Sequence, residues 1–303
     1  MQQPDFLTIG DTIGIVAMAG KVNPLAVEPA IAILQNWGLK VLVGESVSAA
    51  YHQFAGTDEV RLRDFQQMLD NPSVKAIFSA RGGYGSSRIL DEVDFSHFLQ
   101  KPKWVIGFSD ITAVHCHLHN LGVMSLHGVM PKSFNQAGGE EALETLRKTL
   151  FGEVLSYQIL PHEFNRIGTA NGQVVGGNLC LLAHLIGSKS DINTEGKILF
   201  LEDVGEKFYN LDRMMLQLRR ANKLDNLAGL IVGQFSDLSD YETPFGKTAW
   251  EIMAEHTAQY HYPVCYNFPV GHIPDNRAMI CGAIGQLEVL ESGVSLMFSS
   301  IFS

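Results

Sequence analysis

The sequence predicts an α/β fold whose first half is a parallel sheet covered by helices on both faces. Short apolar or β-branched runs alternate with amphipathic segments of helix length through residues 12–128. This alternation is typical of parallel strands, because each needs a long crossover connection to the next. The strand-like runs are also apolar on both faces, as expected of strands buried between two layers of helices.

Each element of the first half has a local signal. A first helix begins after Asn23 and Pro24, which suit its cap and first-turn positions, and it ends at Gly38. Thr57 opens a second amphipathic helix. The predicted strands are residues 12–18, 40–44, 74–80, 103–109 and 123–128. Ligands bind beyond the carboxyl ends of such strands, so functional residues are expected at that edge.

The character of the sequence changes near residue 150. Polar alternation, Pro161 and several glycines predict a linker at 151–172, between an N-terminal domain at 1–150 and a C-terminal domain at 173–303. The second domain is predicted to be smaller, mixed α/β and rich in strands. Its predicted elements are a helix at 178–187, a strand at 197–203, a helix at 207–221, a strand at 227–235, a helix at 246–258 and short strands to the end.

Composition excludes several classes of protein. With 46% apolar and 18% charged residues among 303, the chain has the composition of a soluble globular protein with a large core. The formal charge of −10 argues against nucleic-acid binding, which needs clustered Lys and Arg. There is neither a signal-peptide pattern nor an apolar run near the roughly 20 residues that span a bilayer, so a cytoplasmic protein without membrane contact is predicted. The four dispersed cysteines suggest neither a disulfide framework nor a zinc ribbon.

The stretch KWVIGFSDIT, residues 103–112, places Ser109 between a buried strand and a helix. Such a turn exposes a hydroxyl at the sheet edge, and the N–H groups of the next helix turn point towards a developing oxyanion. The residues from Gly107 to Ile111 lack the second glycine of the G-x-S-x-G elbow. On local grounds Ser109 is therefore either a nucleophile or a plain helix-capping serine.

The run R-G-G-Y-G at residues 81–85 has three local interpretations. Its backbone N–H groups could form an anion nest, although it matches neither a Walker loop nor G-x-G-x-x-G. Alternatively, the N–H of Gly83 could contribute to an oxyanion hole, or the run could be a turn that needs positive φ. The local sequence does not separate these three.

Acidic and histidine residues follow other predicted strands. Glu202 and Asp203 close the strand at 197–203, and His272 follows Gly271 in a loop. A catalytic triad needs a carboxylate that orients an imidazole, and either acid would qualify. The structural alternatives are a solvated acid and a hydrogen-bonded loop histidine.

The stretch HCHLHN places His115 and His119 at the i, i+4 spacing of two zinc ligands on a helix. No glutamate lies between them in the manner of H-E-x-x-H, and no third ligand is evident. A surface or interface cluster is therefore predicted rather than a metal site.

Together these stretches resemble the LD-carboxypeptidase family of serine peptidases, which includes muramoyl-tetrapeptide carboxypeptidases and microcin-immunity hydrolases. The likeness covers nearly the whole chain. Its motifs, in the family's order, are GDTIGIVAMAG, FAGTDEVRLRDFQQML, RGGYGSSRIL, GFSDITAVH, GGNLCLLAHLIG, LFLEDVGEKFYNLDRMMLQL and VGHIPDN.

The resemblance implies a triad in which Ser109 is the nucleophile, Glu202 the acid and His272 the base, with Asp203 as the second choice of acid. It also implies a flavodoxin-like N-terminal domain carrying Ser109 and a C-terminal domain carrying Glu202 and His272. The active site would then lie in the cleft between the two domains. Neither a metal nor an organic cofactor is implied, whereas a homodimer is.

The residues around R-G-G-Y-G also acquire expected roles from the resemblance. The backbone N–H groups of Gly83 and Asp110 match the oxyanion hole. Arg81 and Tyr84 are candidates for substrate binding. The Arg81 guanidinium would pair with a substrate carboxylate or, as an equal alternative, brace acidic neighbours.

The implied reaction is release of the terminal D-alanine from an L,D-linked murein tetrapeptide during cell-wall recycling in the cytoplasm. The closest rival is a microcin-type hydrolase of aminoacyl-nucleotides, which holds the nucleobase with an aromatic on a longer loop. Here residues 150–172 contain no Trp, so the tetrapeptide is favoured; the aromatics of this stretch are Phe151, Tyr157 and Phe164. Two further alternatives are a non-catalytic α/β binding protein that uses residues 81–85 and a metal hydrolase built on His115 and His119.

Overall fold

The alternating segments form helices and strands close to those predicted, in a computed structural model that describes residues 1–298. The strands are β1 (Thr12–Val16), β2 (Lys40–Val43), β3 (Val74–Ser79), β4 (Trp104–Gly107), β5 (Ser125–His127), β6 (Ser156–Ile159), β7 (Gly168–Asn178), β8 (Ile198–Val204), β9 (Gly229–Ser236), β10 (Val264–Cys265), β11 (Met279–Cys281), β12 (Ile284–Leu290) and β13 (Gly293–Phe298). The helices are α1 (Glu28–Asn36), α2 (Asp58–Asp70), α3 (Ser86–Ile89), α4 (Ser96–Gln100), α5 (Thr112–Asn120), α6 (Glu140–Leu150), α7 (Leu179–Leu185), α8 (Phe208–Arg220) and α9 (Ala249–Thr257).

Capping side chains explain where several helices begin. Asn23 accepts the N–H of Leu25 at the turn that precedes α1, and Thr57 accepts the N–H of Val60 at the start of α2. These bonds satisfy N–H groups that have no partner within a helix. Within residues 1–298, none of these helices combines the length and the apolar character needed to cross a membrane.

The first sheet has the order β11-β5-β4-β3-β1-β2. Strands β1 to β5 are parallel, and their order is that of a flavodoxin-like doubly wound sheet. Strand β11 returns from the C-terminal part of the chain and pairs antiparallel with β5, with Met279 opposite His127. The prediction of a flavodoxin-like parallel sheet is confirmed.

Strand β2 departs from the prediction that the strands are apolar and buried on both faces. It lies at the edge of the sheet, where it pairs with β1. Its residues Leu42 and Val43 are 40% and 43% exposed. The prediction is wrong for this strand because an edge strand has a neighbour on one side and less cover from the helices.

The second sheet is mixed and has the order β10-β9-β8-β7-β12-β13-β6. Strands β7 to β10 are parallel, whereas β12, β13 and β6 pair antiparallel. The prediction of a mixed, strand-rich second half is confirmed. One hydrophobic core joins the sheets, since Ala76 and Leu126 of the first belong to the same buried cluster as Phe200 and Leu287 of the second.

Residues 151–172, predicted as a linker, contain β6 and the first part of β7. Only Tyr157 of β6 is fully buried, so this edge strand has the mixed polar pattern that also marks a loop. The segment 173–303 in turn supplies β11 to the first sheet. The chain therefore passes between the sheets three times, after β5, β10 and β11, and the predicted division at residue 150 stays a prediction.

Candidate active site

Ser109 lies at the carboxyl end of β4 in a strained turn. Its φ is 65°, in the left-handed region that residues other than glycine rarely adopt. A 3₁₀ turn over Ser109–Ile111 then leads into α5. A strained strand-to-helix turn is how serine hydrolases present a nucleophilic hydroxyl. The backbone thus takes this conformation although the second glycine of the usual motif is missing.

The side chains of Ser109, His272 and Glu202 form one hydrogen-bonded line. Atom Nε2 of His272 lies 2.9 Å from the Ser109 Oγ, and Nδ1 lies 2.7 Å from the Glu202 Oε2. Glu202, near the end of β8, is fully buried, whereas His272 is partly exposed. The structure therefore brings together the three residues that the sequence predicted as a triad, in an arrangement able to move a proton from the hydroxyl to the imidazole.

The loop before His272 is shaped by its contacts. Gly271 has a φ of 136°, and a β-carbon there would lie 3.0 Å from the Glu202 Cβ. The N–H of Gly271 donates to Oδ1 of the buried Asn276 at 2.9 Å. The ring of Phe108 packs 4.9 Å from that of His272, centre to centre. These contacts fix the direction in which the imidazole points.

Opposing effects set the pKa of His272. Burial lowers it, but the hydrogen bond to Glu202 and the negative charges of Glu202, Asp203 and Asp237 raise it more. The net direction is upward from 6.5. The carboxylates thus stabilise the imidazolium that forms when the ring accepts a proton.

Residues 81–85 lie against the Ser109 turn. A β-carbon on Gly82 would lie 2.9 Å from the Ser109 Cβ, and Gly83 has a φ of 107°. Ser86 ties the two segments together, because its hydroxyl donates to the Asp110 carbonyl and its N–H donates to the Asp110 Oδ2, both at 2.8 Å. The segments that contain the N–H groups of Gly83 and Asp110 are therefore held side by side; their role as an oxyanion hole stays a prediction.

A fully buried arginine holds the 81–85 loop in place through hydrogen bonds to backbone carbonyls. Arg61 of α2 donates to the carbonyls of Met18 and Gly85 at 2.7 and 2.8 Å, and it forms an ion pair with Asp58. The two carbonyls follow β1 and end the 81–85 loop, so one guanidinium fixes both segments. Arg61 is not among the site residues predicted from the sequence. The available signal is its position four residues before Phe65, on the buried face of an amphipathic helix.

Family models match both halves of the chain. One described as the LD-carboxypeptidase N-terminal domain matches residues 13–128, and one described as the LD-carboxypeptidase C-terminal domain matches residues 171–287. The chain belongs to the LD-carboxypeptidase family. The predictions of this family and of a peptidase, hence a hydrolase, are confirmed.

Individual relatives agree with this LD-carboxypeptidase assignment over nearly their whole length. The probable murein peptide carboxypeptidase of Bacillus subtilis is 31% identical, over 97% of this chain and 95% of its own. The murein tetrapeptide carboxypeptidase of Pseudomonas aeruginosa is 30% identical, over 92% of this chain and 94% of its own.

Solved structures share the fold. The muramoyltetrapeptide carboxypeptidase of Oxalobacter formigenes has a TM-score of 0.85 at 27% identity, covering 95% of this chain and 98% of its own. The structure of MccF in complex with glutamyl sulfamoyl guanosine has a TM-score of 0.87 at 21% identity, covering 99% of both chains. At that identity the second likeness shows a common fold.

The second acid of this LD-carboxypeptidase, Asp203, points away from the imidazole. Its carboxylate accepts the Asn178 amide at 2.7 Å and the N–H of Cys180 at 2.9 Å. Burial and the neighbouring Glu202 charge raise its pKa to about 7. The carboxylate that contacts His272 is that of Glu202, and Asp203 instead anchors the start of α7.

The histidine cluster does not form a metal site in the described chain. Both ring nitrogens of His115 are engaged at 2.8 Å, one by the Ser125 hydroxyl and one by the Gly107 carbonyl. Burial lowers its pKa to about 4. No group of three or more His, Cys, Asp or Glu residues suited to a metal occurs within residues 1–298.

The expectation of a surface or interface cluster is wrong for His115, which packs in the core and whose ring bridges β4 and β5. His117 hydrogen-bonds Ser190, at the contact with the second half.

The two candidate substrate-binding residues lie on the exposed side of the 81–85 loop. Tyr84 is 51% exposed, and its ring lies 5.8 Å from that of Phe54. Arg81 donates to the carbonyl of Lys21 at 2.7 Å. No carboxylate of residues 1–298 forms an ion pair with Arg81, so the alternative that it braces acidic neighbours is not what the structure shows.

Proposed function

We propose that this chain is a serine carboxypeptidase that releases the terminal D-alanine from L,D-linked murein tetrapeptides. The observation that carries the proposal is the hydrogen-bonded line from Ser109 through His272 to Glu202. The activities named for the relatives of 30% and 31% identity support the substrate class.

In the first half of the proposed reaction, His272 accepts the hydroxyl proton of Ser109 as the oxygen attacks the scissile carbonyl. The C–N bond then breaks, and the imidazolium donates its proton to the departing amine of D-alanine. Glu202 holds the imidazole in the tautomer that carries its proton on Nδ1 and stabilises the cation. The products are an acyl ester on Ser109 and free D-alanine.

In the second half, water replaces the amine. His272 removes a proton from water as the oxygen attacks the ester, and it returns a proton to Ser109 when the C–O bond breaks. In both halves the negative oxygen would accept hydrogen bonds from the N–H groups of Gly83 and Asp110. Losing one such donor typically costs about a hundredfold or more in turnover.

A hydrolase of aminoacyl-nucleotide antibiotics is the second candidate. It would use the same three side chains, and the fold shared with the Microcin C7 self immunity protein MccF keeps it open. The 150–172 segment supplies β6 and part of β7, and the ring of its Tyr157 is buried in the core. This aromatic is therefore not exposed for a nucleobase, which favours the tetrapeptide.

The biological setting belongs to the same proposal. A role in peptidoglycan recycling, a cytoplasmic location and a homodimer follow from the sequence and its resemblance, and each stays a prediction.

The test is release of D-alanine from a purified murein tetrapeptide. We expect turnover by the native chain and a loss of about 10⁴-fold or more in Ser109→Ala. A fluorophosphonate probe should label the native chain and not the variant, with the adduct mapped to Ser109 by mass spectrometry. Unchanged hydrolysis by Ser109→Ala would exclude the mechanism, and turnover of glutamyl-sulfamoyl-adenosine alone would favour the second candidate.

A further inference from the structure

Two basic residues that form no ion pair with an acid in residues 1–298 belong to segments next to the proposed nucleophile. Arg81 directly precedes Gly82, where a β-carbon would come within 3.2 Å of the Ser109 Oγ. Lys132 is joined to the same strand end, because its N–H donates to the carbonyl of Ala80 at 3.2 Å. Arg81 is therefore one residue from the backbone that contacts Ser109, about 3.8 Å between Cα atoms, and Lys132 is hydrogen-bonded to the residue two positions before that backbone.

The Arg81 guanidinium is held next to the 81–85 loop. Its Nε and the Cα of Gly83 each lie 3.7 Å from the position that a β-carbon on Gly20 would take. One terminal nitrogen donates to the Lys21 carbonyl, so the group is oriented while its other N–H groups have no acceptor in residues 1–298. A guanidinium has five N–H donors, and a carboxylate is the partner that fits two of them at once.

Lys132 adds a second positive charge at this place. Its ammonium group contacts no acidic side chain within residues 1–298. Its backbone is hydrogen-bonded to Ala80, the residue before Arg81. Partial burial lowers the pKa of Lys132, and the positive charge of Arg81 lowers it further. Two basic residues on adjacent segments, neither with an acidic partner in residues 1–298, favour binding of an anion.

The overall charge of the protein makes this pair distinctive. The chain has a formal charge of −10, and the negative charges of Glu202, Asp203 and Asp237 act on the His272 imidazole that contacts Ser109. An anionic substrate is repelled by such a protein unless local cations receive it. A carboxypeptidase has one carboxylate that every substrate shares, and it lies two bonds from the scissile nitrogen.

We propose that Arg81 and Lys132 form the subsite for the free α-carboxylate of the C-terminal residue. The assignment rests on the proposed function, which supplies the C-terminal residue as leaving group. The subsite restricts cleavage to the last peptide bond, because a chain that continues has no carboxylate to place there. Binding this group also holds the scissile carbonyl against Ser109.

The test compares a murein tetrapeptide with the same peptide ending in D-alaninamide. We expect the native chain to favour the free acid by about 10- to 100-fold in kcat/KM, the usual range for a charge-assisted pair.

Arg81→Gln and Lys132→Gln should each lose most of that preference through a higher KM for the acid, with little change for the amide. Arg81→Lys should retain part of it. Lys101→Gln, before the opposite end of β4, is the matched control and should retain all of it.

Further measurements distinguish failure of the carboxylate subsite from failure of the proposed function. Equal cleavage of acid and amide by the native chain would overturn the subsite and leave the proposed function intact, whereas no release of D-alanine would remove both. An Arg81→Gln chain that loses both substrates equally would show support of the loop, not carboxylate binding; its unfolding midpoint and fluorophosphonate labelling detect this case. The last measurement compares tetrapeptides whose third residue carries a side-chain carboxylate with tetrapeptides that have Lys at that position. A loss confined to the carboxylate-bearing peptide would assign the cations to the third residue and overturn the proposal.

Discussion

The turn that carries Ser109 and the loop that carries His272 meet at one hydrogen bond, yet they are held in different ways. The Ser109 turn is fixed by the adjoining loop of the same sheet, through Gly82 and Ser86, the latter 24 residues away from Asp110 in sequence. His272 depends on partners 70 and 163 residues away, Glu202 and Ser109. The nucleophile is thus positioned by a neighbouring loop of its own sheet, and the base by residues of both sheets much farther away in sequence.

The two sheets are also less independent than a hinge between separate domains would require. The His272 loop lies between β10 of the second sheet and β11 of the first. The antiparallel pairing of β11 with β5 and the bond from the Tyr157 hydroxyl to the Ala278 carbonyl anchor the far side of this loop to both sheets. The base is therefore held by both sheets, and a large movement between them would have to break these contacts.

Within this comparison, the largest effect is expected from a substitution at Glu202, the distant residue that orients His272. Glu202→Gln keeps the shape of the side chain but removes the charge that stabilises the imidazolium and selects its tautomer. We expect kcat on the tetrapeptide to fall by about 10³- to 10⁴-fold, with KM nearly unchanged, as when a triad carboxylate becomes an amide. Steady-state kinetics of D-alanine release measure both constants.

Glu206→Gln is the matched control for this substitution. Its carboxylate lies in the loop after β8 and contacts the Asn210 amide, not His272. It should keep turnover within about threefold, as expected for a change that leaves the triad intact. A tenfold or smaller loss in Glu202→Gln would instead mean that another group orients His272.

The contrast between local and long-range contacts also explains what the sequence predicts. Most strands and helices follow from apolar periodicity and capping residues such as Thr57, and Ser109 was visible as a serine at a strand end. Its local pattern alone could not choose between a nucleophile and a cap, because G-F-S-D-I lacks the second glycine; the conformation that replaces it depends on Gly82, in another loop. The resemblance to a family supplied the choice.

Features that depend on distant partners were missed. The supporting contacts of Arg61 and Asn276, the return of β11 to the first sheet and the exposure of β2 are all properties of the assembled chain. Arg61 has the only local trace, a charged residue on a buried helix face. Strand β6 has the polar pattern of a loop, because most of it faces solvent.

An intermediate loss of activity is expected from a substitution at Gly82, in the loop that packs against Ser109. In Gly82→Ala the new methyl would lie 2.9 Å from the Ser109 Cβ and 3.2 Å from its Oγ, so the hydroxyl or the 81–85 loop must shift. A shift of about 1 Å at a reacting group costs up to about a hundredfold, so we expect kcat to fall by about 10- to 100-fold. The free energy of unfolding should fall by about 1–3 kcal/mol, the usual cost of overpacking. Kinetics and urea denaturation measure the two losses.

Gly128→Ala controls for adding a methyl group to a buried glycine that follows a strand of the same sheet. There the nearest heavy atom would be a Leu146 methyl at 3.6 Å, an ordinary contact. We expect activity within about twofold of the native chain, as for other substitutions without strain. If Gly82→Ala were as active as this control, the close approach of the 81–85 loop would not determine the position of Ser109.

The smallest expected effect tests the charges around His272. Asp237 has a φ of 52°, which asparagine tolerates well, so Asp237→Asn removes a negative charge with little change in backbone. The base must be unprotonated to accept the Ser109 proton, and the pKa of His272 is raised above 6.5 because the carboxylates outweigh the effect of burial. The acid limb of kcat/KM in the native chain should therefore lie above pH 6.5, with activity lost as the pH falls through it.

In Asp237→Asn one of the charges that raise the pKa is gone, so the acid limb should move to lower pH while the plateau at higher pH stays the same. Because Asp237 is exposed, salt screens its effect, and the difference between variant and native chain should shrink between about 0.05 and 1 M NaCl. Glu291→Gln, in the distant hairpin of β12 and β13, makes the same change in charge and should leave the limb in place. A limb that stays fixed in Asp237→Asn would mean that the imidazole senses Glu202 and Asp203 but not the exposed loop beside it. An equal shift in both variants would instead show an effect of the total charge, not of Asp237.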